Sequence, residues 1–91
     1  MKLDIIWTKQ FKKDYKLAQR RHLNLDLIDD VIRTLASGKK LDKKYNDHSL
    51  SGNWAGFREC HIQPDWLLIY RIDDDVLVLT LSRTGTHSDL F

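Results

Sequence analysis

Cysteine and proline are almost missing from these 91 residues, with one of each, Cys60 and Pro64. A lone cysteine excludes an internal disulfide, so a reducing compartment, the cytoplasm, is expected. No apolar run approaches the ~20 residues that cross a bilayer. The opening Met-Lys-Leu-Asp-Ile-Ile-Trp also lacks the longer apolar core of a signal peptide, so no membrane partner is expected. Repeats and low-complexity linkers are absent too. With 42% hydrophobic and 31% charged residues, the composition excludes a disordered chain. A second domain would be too small to bury its own core, so residues 1–91 read as a single domain.

Each half is short of charge of one sign. Residues 1–45 hold twelve Lys/Arg against six Asp/Glu, a net +6, and residues 46–91 hold three against seven, a net −4. Such a split suits a face that docks on a polyanion, or a solvated lysine-rich helix surface.

Leu3, Ile5 and Trp7 alternate with Lys2, Asp4 and Ile6, predicting a short strand with one apolar face. Thr8 stands where a helix cap belongs. The helix that follows runs to about Arg21, with Phe11, Tyr15, Ala18 and neighbouring Leu17 as its apolar stripe. Lys9, Lys12, Lys13, Lys16 and Arg20 make its other side basic. A short turn, with Asn24 or Asp26 as cap, leads to a second helix marked by Leu25, Ile28, Val31, Ile32 and Leu35 and closed by Ser37-Gly38. Helices joined so tightly form an antiparallel hairpin that needs a sheet to cover. Residues 39–53 read as a basic loop. From Trp54 the period changes to two, with Trp54, Gly56, Arg58, Cys60 and Ile62 on one face and Phe57, Glu59 and His61 on the other. Gln63-Pro64-Asp65 is a turn, Trp66–Ile72 an apolar strand, Asp73–Asp75 a hairpin turn and Val76–Ser82 a final strand. The order β-α-α-β-β-β predicts an α+β fold, an antiparallel sheet with the helix hairpin on one face.

Chemistry concentrates in three segments. His48 lies in the loop, His61 at the end of a strand with Asp65 in the turn beyond, and His87 in the tail after Arg83. They converge only if the tail folds back past the turn, with Gly85 as pivot and Leu90 as anchor. Imidazoles exchange protons near neutral pH. Two of them flanking a phosphodiester can split RNA without metal: one takes the 2′-OH proton and the other protonates the departing 5′-oxygen. Arg83 can steady the charge on the phosphoryl oxygens. Each residue also has a structural reading. His48 can serve as a cap, His61 as a satisfied strand histidine, and Arg58 can pair with Glu59 or with a phosphate. His22 reads as inert, Trp54, Trp66 and Tyr70 as core, and Cys60 as a packed small residue. His48, His61, His87 and Asp65 could instead hold a divalent ion, but no HxH or HExxH spacing supports it, so no metal or cofactor is expected.

The segments Asp-His-Ser-Leu-Ser-Gly-Asn-Trp, Arg-Glu-Cys-His-Ile-Gln-Pro-Asp-Trp-Leu-Leu-Ile-Tyr and Arg-Thr-Gly-Thr-His-Ser-Asp-Leu-Phe together resemble the YafQ family, within the RelE/ParE superfamily of bacterial type II toxins. The resemblance runs motif by motif over residues 45–91, and by pattern and length before that. It implies a microbial-ribonuclease fold and a ribosome-associated endoribonuclease that cleaves mRNA. A cognate antitoxin would silence it, and operator DNA would be bound only as a complex with that antitoxin. By position, His48, His61, Asp65 and His87 would form the acid–base set, Arg83 would meet the phosphate and Phe91 the base or nucleophile. Apart from the resemblance, their charge alone makes Arg58, the basic residues of the first helix and the loop of residues 39–44 candidate RNA contacts. Two other functions stay open: a superfamily toxin acting on gyrase, and a non-catalytic RNA-binding or autorepression module.

Overall fold

The computed structural model describes residues 2–91. Strand β1 (Asp4–Trp7) leads into helices α1 (Lys9–Arg20) and α2 (Leu25–Ala36); the short strand β2 (His48–Ser49) and strands β3 (Arg58–Gln63), β4 (Trp66–Asp73) and β5 (Val78–Gly85) follow, then a four-residue helix, α3 (His87–Leu90). Local chemistry accounts for the helix ends. The Thr8 hydroxyl accepts from the Phe11 amide and Asn24 Oδ1 from the Asp26 amide, each satisfying one otherwise unpaired donor. Gly38, at φ +79°, closes the turn after α2 where a Cβ would be strained.

The five strands lie in the order β1-β5-β4-β3-β2. Strands β2 to β5 are antiparallel neighbours, as hairpin connections require, whereas β1 lies parallel to β5. The sheet is therefore mixed and not antiparallel throughout. The reason is that β1 reaches β5 through the two helices and the rest of the sheet, so no hairpin constrains its direction.

Both helices cover one face. Phe11 and Ala18 of α1 and Ile28, Val31, Ile32 and Leu35 of α2 bury against Cys60, Ile62, Trp66, Leu68, Tyr70, Leu79 and Leu81. Trp7 sits edge-on to Phe11 at 5.0 Å and locks the α1–β1 corner. The apolar face predicted for β1 holds for Leu3 and Trp7 but not for Ile5, which is 40% exposed because β1 is an edge strand. On the other face Leu67 and Ile69 carry a smaller cluster with Leu90, Leu50, Trp54 and Phe57. Trp54 thus belongs to the face opposite Cys60: residues 52–54 form a 3-10 turn, and the strand alternation begins only at Arg58. The last hairpin also differs. Residues 74–77 turn, Leu77 is left-handed at φ +54°, and β5 starts two residues late and runs on through Arg83.

A candidate active site on the uncovered face of the sheet

Strand pleating sends Glu59 and His61 to the side away from the helices. His48 pairs directly with Glu59 across β2 and β3 and so shares that side. Residue 48 is therefore a strand position and not a loop position. A two-residue strand carries no periodicity to reveal it.

The third histidine arrives from the tail. Thr86 and Asp89 form a reciprocal capping box that starts α3, and Leu90 seats beside Leu67 and Ile69 as the anchor. The tail does fold back past the turn. Asp65 Oδ1 accepts from the His87 amide at 3.0 Å and from His87 Nδ1 at 2.7 Å. Gly85 is not the pivot predicted. A Cβ there would lie 2.9 Å from the Asp89 side chain, so glycine serves close approach.

Three imidazoles now stand in a row, with ring centres 6.2 Å apart from His48 to His61 and 5.8 Å from His61 to His87. Each has Nδ1 committed to an acceptor: His48 to the Asn46 carbonyl at 2.8 Å, His61 to the Pro64 carbonyl at 3.3 Å, His87 to Asp65. Carbonyls only accept, so Nδ1 carries the proton and Nε2 is left for exchange. Below the row lies Glu59, 5% exposed, with its oxygens 3.5 Å from His48 Nε2 and 3.7 Å from His61 Nε2. The sequence reading missed Glu59 as a site residue, although its spacing of two from His61 already placed both on one face. Glu59, His61 and His87 each bring one ligand atom to within 4.8 Å of the others, a set that could hold a cation. That set differs from the predicted one, because Asp65 spends its carboxylate on His87.

The two hydrogen bonds from His87, the amide first and then the ring, hold the Asp65 carboxyl below its ordinary range. Burial pushes the Cys60 thiol up, which suits a packing residue and not a nucleophile. Trp66 is core as predicted, its indole donating to Thr84 Oγ1 at 2.9 Å. Tyr70 is also core and donates to Asp47. His22 is exposed in the turn after α1.

The arginines lie elsewhere. Arg58 is one residue from Glu59, hence on the helix-covered side, where Nη2 meets Asp47 Oδ2 at 3.2 Å. Of the two partners expected for Arg58, Glu59 is not the one it meets, because the pleat sends the two side chains to opposite faces and Asp47 pairs with the guanidinium instead. Arg83 turns toward α1, donating from Nε at 2.8 Å and from Nη2 at 3.2 Å to Asp14, a 7%-exposed carboxylate that also accepts from the Thr84 amide. Asp14 was not anticipated, though it sits three residues after Phe11 and four before Ala18, inside the apolar stripe. A groove of about 460 Å³ between α1 and the β5–α3 junction holds Arg83 and Asp65 in its walls. Phe91, directly after α3, is 63% exposed, and Lys9, Lys12, Lys13, Lys16 and Arg20 are all exposed along α1.

The sequence model of the YafQ family, described as bacterial toxin of type II toxin-antitoxin system, matches residues 3–91. The mRNA interferase toxin YafQ of Escherichia coli K12 is 42% identical over 89 residues, covering 97% of this chain and 95% of that protein. The crystal structure of YafQ from E. coli BL21(DE3) superposes with a TM-score of 0.92 at 40% identity, covering 98% of each chain. In the E. coli DinJ-YafQ toxin-antitoxin complex the match has a TM-score of 0.91 at 40% identity, over 100% of this chain and 99% of that one. A metal-bound toxin from Helicobacter pylori matches at 0.91 and 43% identity, over 98% and 99%. The chain belongs to the YafQ family of type II toxin–antitoxin toxins. None of its helices within the described residues is long and apolar enough to cross a membrane.

Proposed function

We propose that residues 1–91 act as one toxin domain, an endoribonuclease that cleaves mRNA and so arrests translation; the E. coli relative bears the name mRNA interferase toxin. The observation that carries the reading is the Asp65–His87 pair at 2.7 Å with the His61 ring 5.8 Å from that of His87. Hydrogen bonds of about 3 Å from each ring to one phosphodiester span such a gap.

His87 is the general acid. Asp65 fixes its ring through Nδ1, leaving Nε2 facing outward to protonate the departing 5′-oxygen. Asp65, held well ionised by those same bonds, is a weak base, so His61 Nε2 takes the 2′-OH proton. The freed oxygen attacks phosphorus and leaves a 2′,3′-cyclic phosphate. His48 supports His61 through Glu59 between them. Arg83, in the wall of the adjoining groove with Asp65, keeps Nη1 for a phosphate of the bound RNA, since only Nε and Nη2 are engaged by Asp14. Phe91, exposed and four residues beyond His87, stacks on a base. No step needs a metal; a cation on Glu59, His61 and His87 would occupy the proton-exchanging groups and inhibit.

The partners follow. The chain binds a cognate antitoxin, as E. coli YafQ binds DinJ in their toxin-antitoxin complex, and that partner silences it. Its basic α1 face grips ribosomal RNA while mRNA enters the histidine row. RNA is required because DNA lacks the nucleophile. Replacing the 2′-OH at the cut site by hydrogen abolishes cleavage, and His87→Ala lowers the rate by about 10²–10⁴-fold in mapped mRNA 5′ ends. Cutting of the 2′-deoxy substrate would exclude this chemistry.

A further inference from the structure

Helix α3 is four residues long, too short to hold itself in water, yet it carries His87. Its capping box is local. Asp89 Oδ2 accepts from the Thr86 amide at 2.9 Å and Thr86 Oγ1 from the Asp89 amide at 3.1 Å. Two tethers come from elsewhere in the chain. One is Asp65. The other is Arg21, at the C-terminal end of α1, which donates from Nη1 to Asp89 Oδ2 at 2.7 Å and from Nη2 to Asp89 Oδ1 at 3.3 Å. This two-pronged geometry fixes orientation as well as distance, which a point charge does not. Asp89 can lie within Arg21's reach only because Gly85 has no side chain, and a methyl group there would meet the Asp89 Cβ and Oδ2 at 2.9 Å. The Arg21–Asp89 contact joins residues 68 apart and ties the first helix to the last.

We infer that Arg21 is a positioning residue for RNA cleavage, clamping Asp89 so that α3 presents His87 to Asp65 and to the His61 ring. The inference rests on the cleavage mechanism proposed above and assigns to Arg21 a task separate from the phosphate contacts of its helix. Arg21 touches none of the three histidines, so its influence passes through α3. Displacements of about 1 Å at reacting groups cost on the order of 10²-fold in rate. Loss of the Arg21 tether, with Asp65 still holding His87, lowers kcat by about tenfold.

The test measures kcat and KM for ribosome-bound mRNA, together with amide exchange, in wild type, Arg21→Ala, Asp89→Asn and the double variant. Asparagine retains an acceptor for the Thr86 amide but not the ion pair. The expected result is a kcat about tenfold lower in Arg21→Ala with KM within about twofold, and a double variant no slower than the slower single one. The His87, Leu90 and Phe91 amides should exchange at least about tenfold faster while β4 amides keep wild-type protection. A raised KM with additive losses would make Arg21 an RNA ligand and overturn the inference. Unchanged exchange at His87 and Leu90 overturns it as well, whether or not RNA is cut. An inactive wild type with the exchange effect present would instead remove the cleavage reading and leave the clamp standing.

Discussion

Replacing Asp14 by alanine is the sharpest probe of how this fold holds its final strand. The carboxylate accepts four hydrogen bonds, from Gln10 Nε2, Arg83 Nε, Arg83 Nη2 and the Thr84 amide. Thr84 is 3% exposed, so its amide cannot turn to water, and an unsatisfied buried donor costs ~1–3 kcal/mol. Arg83, 27% exposed, can swing outward, so its lost partner adds only ~0–1 kcal/mol. The Gln10 amide is exposed and adds nothing. Together these give a destabilisation of about 1–4 kcal/mol, with a midpoint of about 2.5 kcal/mol. In a domain this size each kcal/mol moves Tm by ~4–8 °C, so Asp14→Ala lowers Tm by about 10–20 °C. Far-UV circular dichroism during heating reads that shift, and a urea titration should show a lower midpoint at unchanged slope. Asp14→Asn retains an acceptor for Thr84 and loses about half as much. A Tm for Asp14→Ala within about 3 °C of wild type would refute the assignment of this carboxylate as the partner of Thr84 and Arg83.

Two further outcomes are expected. Asp65 and Asp89 both titrate below their ordinary range, Asp65 through the His87 amide and ring, Asp89 through the Arg21 guanidinium and then the Thr86 amide. Depressed carboxyls contribute stability above their unfolded value of about 4, and that contribution is lost as pH falls through the folded values. Helix α3 should therefore undock below about pH 4 ahead of the sheet, seen as early loss of the His87 and Leu90 amide signals, and Asp89→Asn should blunt the effect; a transition shared by all amides contradicts it. If Lys9, Lys12, Lys13, Lys16 and Arg20 all meet phosphates, ribosome affinity should fall with a log–log salt slope near −4, from about 0.7–0.9 per contact. Lys12→Ala/Lys16→Ala should reduce the slope by about 1.5, and an unchanged slope removes α1 from the docking face.

What was legible in the residues was whatever repeats over a short stretch. The 3.6-residue periods of α1 and α2, their Thr8 and Asn24 caps, the alternation through β3 and the apolar run of β4 are local, and local energetics select the same conformations in the folded chain. The return of His87 to Asp65 was legible as well, because Leu90 gives the tail an apolar anchor. Contacts between distant residues had no such signature. Asp14 finds Arg83 across 69 residues and Arg21 finds Asp89 across 68, and nothing near either partner marks the other. The parallel seat of β1 and the two-residue strand bearing His48 depend on which strand edges remain open once the hairpins have formed. Arg58 and Glu59 are adjacent in the chain, yet pleating carries them to opposite faces, one to Asp47 and the other beneath the imidazoles. Periodicity chooses the elements because backbone and burial energies act over a few residues, whereas the charged partners are chosen by the packing that brings remote elements within reach.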